Sequence, residues 1–143
     1  MKRTNEVLVW GRGIADARKK KIKDITRRLL REESVRGVHV EIFLLPHKAI
    51  TALKKRFLPG KKGIANVLAF PDSRNFPHPE SRLRYLGEIY LNQTASRGDF
   101  KGLIFLLIHG LLHLLGYLHK KKGDIANMEQ REKQLWQHIS SLV

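Results

Sequence analysis

The run Leu106-Leu107-Ile108-His109-Gly110-Leu111-Leu112-His113-Leu114-Leu115-Gly116-Tyr117-Leu118-His119 constrains this chain more than any other stretch. It is apolar except for its histidines, two of which stand four residues apart. On a helix they lie on one face, one turn from each other. Gly116 follows three residues after His113, where a left-handed turn can end the helix. His119 comes three residues later still. Each buried imidazole needs a partner for its nitrogens or carries a desolvation cost of about 1–3 kcal/mol. One shared metal ion serves all three rings. Three protein nitrogens leave the fourth tetrahedral position open, the arrangement of a catalytic zinc rather than a structural one. The expected ligands are therefore His109, His113 and His119, with one Zn²⁺ per chain. Three imidazoles also accept nickel, copper or iron.

The rest of the chain supplies a fold for that helix. Residues 7–10, 38–45, 67–70 and 85–91 read as strands, closed by Gly11, Pro46, Pro71 and the polar stretch after Leu91. In the last of them, alternation predicts Glu88 and Tyr90 on one face and Tyr85, Gly87, Ile89 and Leu91 on the other. Helical spacing of Ile14, Ala15, Ile22, Ile25, Leu29 and Leu30 predicts a long helix over 14–33. Shorter helices are expected over 47–57 and 102–115, and a last one runs from a cap at Asp124 to about residue 141. The expected fold is α+β: a mixed four-stranded sheet packed with four to five helices, the central one carrying the histidines. At 143 residues the chain is read as one domain, 1–143.

Charge narrows the partner. Lys and Arg number 28 against 13 acids, a formal net charge of +15. Such a field draws polyanions, nucleic acid before acidic lipid. The first long helix concentrates Arg18, Lys19, Lys20, Lys21, Lys23, Arg27 and Arg28 on its polar side. That run is either a solvated helix face or a phosphate-facing stripe. Pro59-Gly60-Lys61-Lys62-Gly63 is a basic turn without P-loop spacing, and a solvated loop is its default reading. No cysteine is present, which excludes disulfides and thiolate chemistry. The apolar run over 103–115 is shorter than the ~20 residues of a bilayer span, and the N-terminal apolar stretch is too short for a signal-peptide core. The expected location is cytoplasmic, with no membrane partner. His39 is expected to point outward, and His78 and His138 stand apart from the metal pattern.

The histidine spacing is similar to the H-E-x-x-H-x-x-G-x-x-H pattern of metzincin peptidases, whose glutamate is the general base. Gly110 occupies that position here and removes the proton acceptor. A second resemblance covers more of the chain. Residues 109–119 resemble H-G-x-L-H-L-x-G-Y-D-H, the signature of the YbeY-type endoribonucleases. Asn66-Val67-Leu68-Ala69-Phe70-Pro71 is similar to that family's T-D-V-L-S-F-P strand, and Leu86-Gly87-Glu88-Ile89 to its L-G-D-I strand. Met128 and Glu132 match its M-x3-E ending. Leu118 stands where the family has Asp, Ala65 and Asn66 replace Thr and Asp, and Glu88 replaces Asp.

The resemblance implies a zinc-dependent, single-strand-specific endoribonuclease acting in rRNA maturation at the 16S 3′ end and in ribosome quality control. It implies single-stranded RNA, rRNA and ribosomal particles as partners. His109 is then catalytic as well as a ligand, and the family's catalytic arginine carries over onto Arg56, with Lys61 or Lys62 as alternative cations. Glu88 is a candidate base or support for a ligand, or else a solvated strand carboxylate. Tyr85 and Tyr90 are expected to pack rather than to stack a base. Two other functions stay open: a non-catalytic, metal-stabilised RNA- or ribosome-binding assembly factor, and a metal-dependent peptidase or other hydrolase.

Overall fold

A computed structural model describes residues 4–60, 66–72, 83–94, 99–117 and 120–143. Four strands, β1 (Glu6–Trp10), β2 (Val38–Leu45), β3 (Val67–Pro71) and β4 (Arg84–Asn92), form one mixed sheet in the order β1-β2-β4-β3. β1, β2 and β4 are mutually parallel, and β3 runs antiparallel to β4 along one edge. Four α-helices accompany them: α1 (Asp16–Glu32), α2 (His47–Phe57), α3 (Phe100–Leu114) and α4 (Lys122–Ile139), followed by a 3₁₀ turn at Ser140–Leu142. This is the expected α+β architecture.

The sheet has two unlike faces because its strands alternate. Val7, Val9, Val38, Val40, Ile42, Leu44, Ile89 and Leu91 point to one side and are buried. They meet Ile22, Ile25, Leu29 and Leu30 of α1, Leu103, Ile104, Leu107, Ile108, Leu111 and Leu112 of α3, and Met128, Leu135 and Ile139 of α4 in one core. At 1.5–3 kcal/mol for each fully buried large aliphatic side chain, this cluster is the main source of stability. α2 covers part of the other face, where Ile50 and Leu68 form a smaller cluster with Leu45, Leu53, Leu58, Phe70 and Tyr90. α2 and α3 therefore lie on opposite sides of the sheet.

Two local expectations change. α4 begins at Lys122, and Asp124 sits inside its first turn, where its carboxylate accepts the Lys121 backbone N–H at 3.2 Å. The carboxylate still satisfies a free amide at the helix start, as a capping box does. In β4, His39 pairs with Tyr85 but Val40 pairs with Gly87, so Leu86 is an extra residue in the ladder. This bulge resets the alternation. Tyr85 consequently shares the side of Glu88 and Tyr90, not that of Gly87 and Ile89.

α3 ends as its glycine predicts. Gly116 has φ +96°, the Gly116 N–H donates to the His113 carbonyl at 3.1 Å, and the Tyr117 N–H donates to the Leu112 carbonyl at 3.0 Å. This Schellman closure turns the chain at Gly116, three residues after His113. No helix among the described residues is long and apolar enough to cross a membrane.

Candidate metal centre

α3 carries His109 and His113 on its partly exposed side. His109 and His113 are half-buried, their rings are 4.6 Å apart and nearly perpendicular at 78°, and their Nε2 atoms lie 3.1 Å from each other. Two nitrogens on one tetrahedral zinc, each ~2.0–2.1 Å from the metal, stand about 3.3 Å apart. The observed separation thus suits one edge of a tetrahedral metal site, and it equally allows one N–H···N hydrogen bond.

A carboxylate selects between the tautomers of His109. Glu132 Oε1 of α4 lies 3.2 Å from His109 Nδ1. A carboxylate accepts only, so Nδ1 is the protonated nitrogen and Nε2 presents a lone pair toward His113. A carboxylate behind an imidazole is the usual support of a metal-ligating histidine: it fixes the tautomer and orients the ring. The sequence flagged Glu132 only as part of a family ending and assigned it no role. Nothing local could do more, because 23 residues separate it from His109.

α4 is itself held in place next to Glu132. Arg131 donates from Nε to Glu33 and from Nη2 to the Glu32 carbonyl at 3.0 Å. The Tyr117 hydroxyl donates to the other Glu33 oxygen at 3.3 Å. Burial, and then the Glu33 charge, raise the Tyr117 hydroxyl above the ordinary tyrosine range and keep it a proton donor. The clamp ties the end of α1, the middle of α4 and the residue leading from α3 toward 118–119. His119 and Leu118 lie outside the described residues, as do Lys61, Lys62, Ala65 and His78. Among the described residues no group of three metal-ligating side chains converges.

Gly110 faces the sheet rather than the histidines. A Cβ there would stand 2.9 Å from Ile89 Cγ2 and 3.0 Å from Val67 Cγ2. The glycine lets α3 pack flush on β3 and β4. A metzincin-type glutamate at this position would be driven into the core, which reinforces the sequence argument against that peptidase mechanism.

The other candidates lie elsewhere. Arg56 is exposed in the last turn of α2, its guanidinium carbon 5.4 Å from the Phe57 ring. α2 covers the face of the sheet opposite α3, and there Arg56 packs its guanidinium on Phe57. Glu88 also belongs to the α2 side. It accepts from the Tyr85 hydroxyl at 3.1 Å and the Tyr90 hydroxyl at 2.5 Å, and helps line an open cavity of about 290 Å³ with Phe57, Phe70 and Asp72. The strand turns it to the side of Tyr85 and Tyr90, away from the core that α3 packs on. Tyr90 packs as expected: its ring stacks on Phe43 at 4.8 Å and meets Phe70 edge-on at 5.8 Å. His39 is likewise outward, within 3.6 Å of Glu6 and 3.5 Å of Glu41. His138 lies 3.9 Å from Glu32, away from the centre.

The tyrosine pair predicts an alkaline limit. Burial, with the Glu88 charge and hydrogen bonds, holds both phenols well above their ordinary value of 10.0. A group whose folded value is raised contributes stability fully below its unfolded value and loses it as pH rises toward the folded one. Stability is therefore expected to fall steadily above about pH 10. In a Tyr85→Phe/Tyr90→Phe protein the decline should be shallower. Denaturant titrations between pH 8 and 11 that give the same slope for both proteins would count against this account.

An α+β domain whose central helix presents paired imidazoles backed by a carboxylate defines the class: a protein built around a helix-borne histidine site. The family described as Endoribonuclease YbeY matches residues 11–140, and the chain belongs to that family. Its similarity to the endoribonuclease YbeY of Syntrophus aciditrophicus is 31% identity, covering 95% of this chain and 94% of that one. The corresponding protein of Roseiflexus sp. is 34% identical, with 74% of each chain covered, and that of Sulfurihydrogenibium sp. is 29% identical, with 77% and 75% covered. A solution structure of a Thermotoga maritima protein shares the fold, with a TM-score of 0.53 at 24% identity, over 96% of this chain and 93% of that one.

Proposed function

We propose that this chain is a metal-dependent endoribonuclease that cuts single-stranded RNA during rRNA maturation, including 16S 3′-end processing and ribosome quality control, on ribosomal particles in the cytoplasm. The observation that carries this reading is the imidazole pair of His109 and His113, Nε2 to Nε2 3.1 Å, backed by Glu132, in a member of an endoribonuclease family. The proposed ligands are His109, His113 and His119, and the proposed ion is one Zn²⁺ per chain.

When bound, the ion supplies Lewis acidity to a phosphoryl oxygen or to the attacking water. The chain's own residues prepare the site. Glu132 keeps the His109 proton on Nδ1, so Nε2 is available without a tautomer change. The Gly116 turn reverses the chain one residue before Tyr117, and the hydrogen bond from Tyr117 to Glu33 fixes where the segment bearing His119 departs. The net charge of +15 supports a phosphate backbone as substrate and predicts strong salt dependence.

The test is cleavage of a single-stranded RNA by purified protein, with and without a chelator, beside casein as a peptidase substrate. The expected result is RNA cleavage that chelation abolishes and added Zn²⁺ restores, with casein intact. Chelator-insensitive RNA cleavage would overturn the metal, and casein cleavage without RNA cleavage would favour the peptidase reading. RNA binding with no cleavage in any metal would favour the assembly-factor reading.

A further inference from the structure

The basic run of α1 is not used by the metal centre. α1 holds eight cations against three acids. Arg27 and Arg28 are neutralised by Asp24 at 3.6 Å and Glu32 at 2.9 Å. Among the described residues Arg18, Lys19, Lys20, Lys21 and Lys23 have no ion pair, nor does Arg31 in the last turn, so five of the six uncompensated cations sit in the N-terminal half of the helix. There α1 meets the start of α3. The Arg18 guanidinium carbon and Lys21 Nζ lie 5.1 and 5.3 Å from the centre of the Phe100 ring. With exposed Lys101 they border an open cavity of about 430 Å³. Its one acidic side chain, Asp99, is engaged as the cap of α3 by the Lys101 N–H at 3.0 Å.

The two helices run in the same direction. Arg18 meets Phe100 near their N-terminal ends, and Glu33 meets Tyr117 beyond their C-terminal ends. The cation cluster therefore lies beside the helix that carries the histidines, displaced toward its start. At 1.5 Å per residue, Phe100 is about 14 Å along the axis from His109 and about 20 Å from His113. The opposite face of the sheet mixes signs, with Glu6, Glu41 and Glu88 on its strands beside Lys54, Lys55 and Arg56 of α2. None of the large exposed apolar side chains, Trp10, Phe57, Phe105 and Leu142, is on α1, so this helix has nothing to insert into a bilayer.

We infer that Arg18, Lys21 and Lys101 form a docking site for the phosphate backbone of RNA that flanks the cut strand, separate from the centre itself. The inference rests on the proposed endoribonuclease reading and deepens it. Cations held at the ends of two packed helices read phosphate spacing without reading bases, so the site adds affinity for long RNA of any sequence.

The test compares wild type, R18Q/K21Q/K101Q, and a charge-matched control, R36Q/K48Q/R84Q, whose three residues are exposed elsewhere. Melting curves check folding. Binding of a long single-stranded RNA is followed against salt, and cleavage of long and short RNAs is measured. Each lost phosphate contact lowers the log–log salt slope by about 0.7, so the triple variant should lose about 2. Its KM for long RNA should rise, with kcat on a short RNA unchanged, and the control should lose less than half as much slope. A folded triple variant with the wild-type slope overturns the inference, as does an equal loss in the control, which would assign the effect to the overall field. Loss of binding to anionic vesicles with RNA binding intact overturns it in favour of a lipid surface. If wild type binds RNA with the expected slope but cuts none, the endoribonuclease reading fails while the docking site stands.

Discussion

Glu132→Ala is expected to weaken Zn²⁺ binding by about 10–100-fold, with a comparable fall in RNA cleavage at limiting metal. The carboxylate touches His109 through Nδ1 at 3.2 Å and is positioned to act through that ring alone. Without it, the proton of His109 is free to occupy either nitrogen, and the tautomer with Nε2 protonated cannot ligate through Nε2. The loss corresponds to about 1.4–2.7 kcal/mol of binding free energy. Glu132→Gln keeps an acceptor oxygen but loses the charge, and should fall between wild type and Glu132→Ala. Competition against a chromophoric chelator reads affinity directly, and saturating metal should recover much of the activity. A purely structural role would instead lower the melting temperature and leave metal affinity alone. Wild-type affinity in a folded Glu132→Ala protein would remove the carboxylate from the centre.

Gly87→Ala is expected to destabilise the fold strongly with a single added methyl. Gly87 has φ +142°, a backbone conformation that residues with a side chain rarely adopt, at a cost of about 1–3 kcal/mol. The added Cβ would stand 2.4 Å from the Phe70 carbonyl oxygen, 3.0 Å from Pro71 Cα and 2.9 Å from Leu114 Cδ2. The first two are backbone atoms of the neighbouring strand and cannot step aside as a flexible side chain does. Overpacking of this kind costs about 1–3 kcal/mol more. A combined loss of about 3 kcal/mol or above is a large part of the 5–15 kcal/mol that hold a typical domain folded. Denaturant unfolding would measure it. A midpoint within error of wild type would show that the β3–β4 ladder yields more easily than its geometry suggests. Leu114 follows His113 directly, so a variant that does fold should also disturb the histidine pair.

These positions also mark what was legible in the chain. The four strands and four α-helices were readable because each has a clear period and a clear stop. The helical spacing of His109 and His113 placed both rings on one side of α3, and Gly116 closed that helix as expected. The pairing of Tyr85 with Glu88 was not readable, because Leu86 forms a bulge set by the partner strand. Nor was the placement of α2 and Glu88 on the sheet face opposite α3, because nothing local in α2 or β4 says which face of the sheet α3 will cover.

Residue identity and spacing set the chemistry on offer: two imidazoles one helical turn apart, a glycine in place of a base, no thiols and an excess of cations. Those properties reside in residue identity and short spacing, which local geometry transmits without help from the rest of the chain. Which groups meet followed from packing between elements far apart in the chain. That packing brought Glu132 across 23 residues to His109, set Gly110 against Ile89 and Val67, and turned Glu88 to the far face. The physical reason is that burying the apolar faces of sheet and helices fixes the layers, and polar side chains must take the partners that this packing leaves within reach.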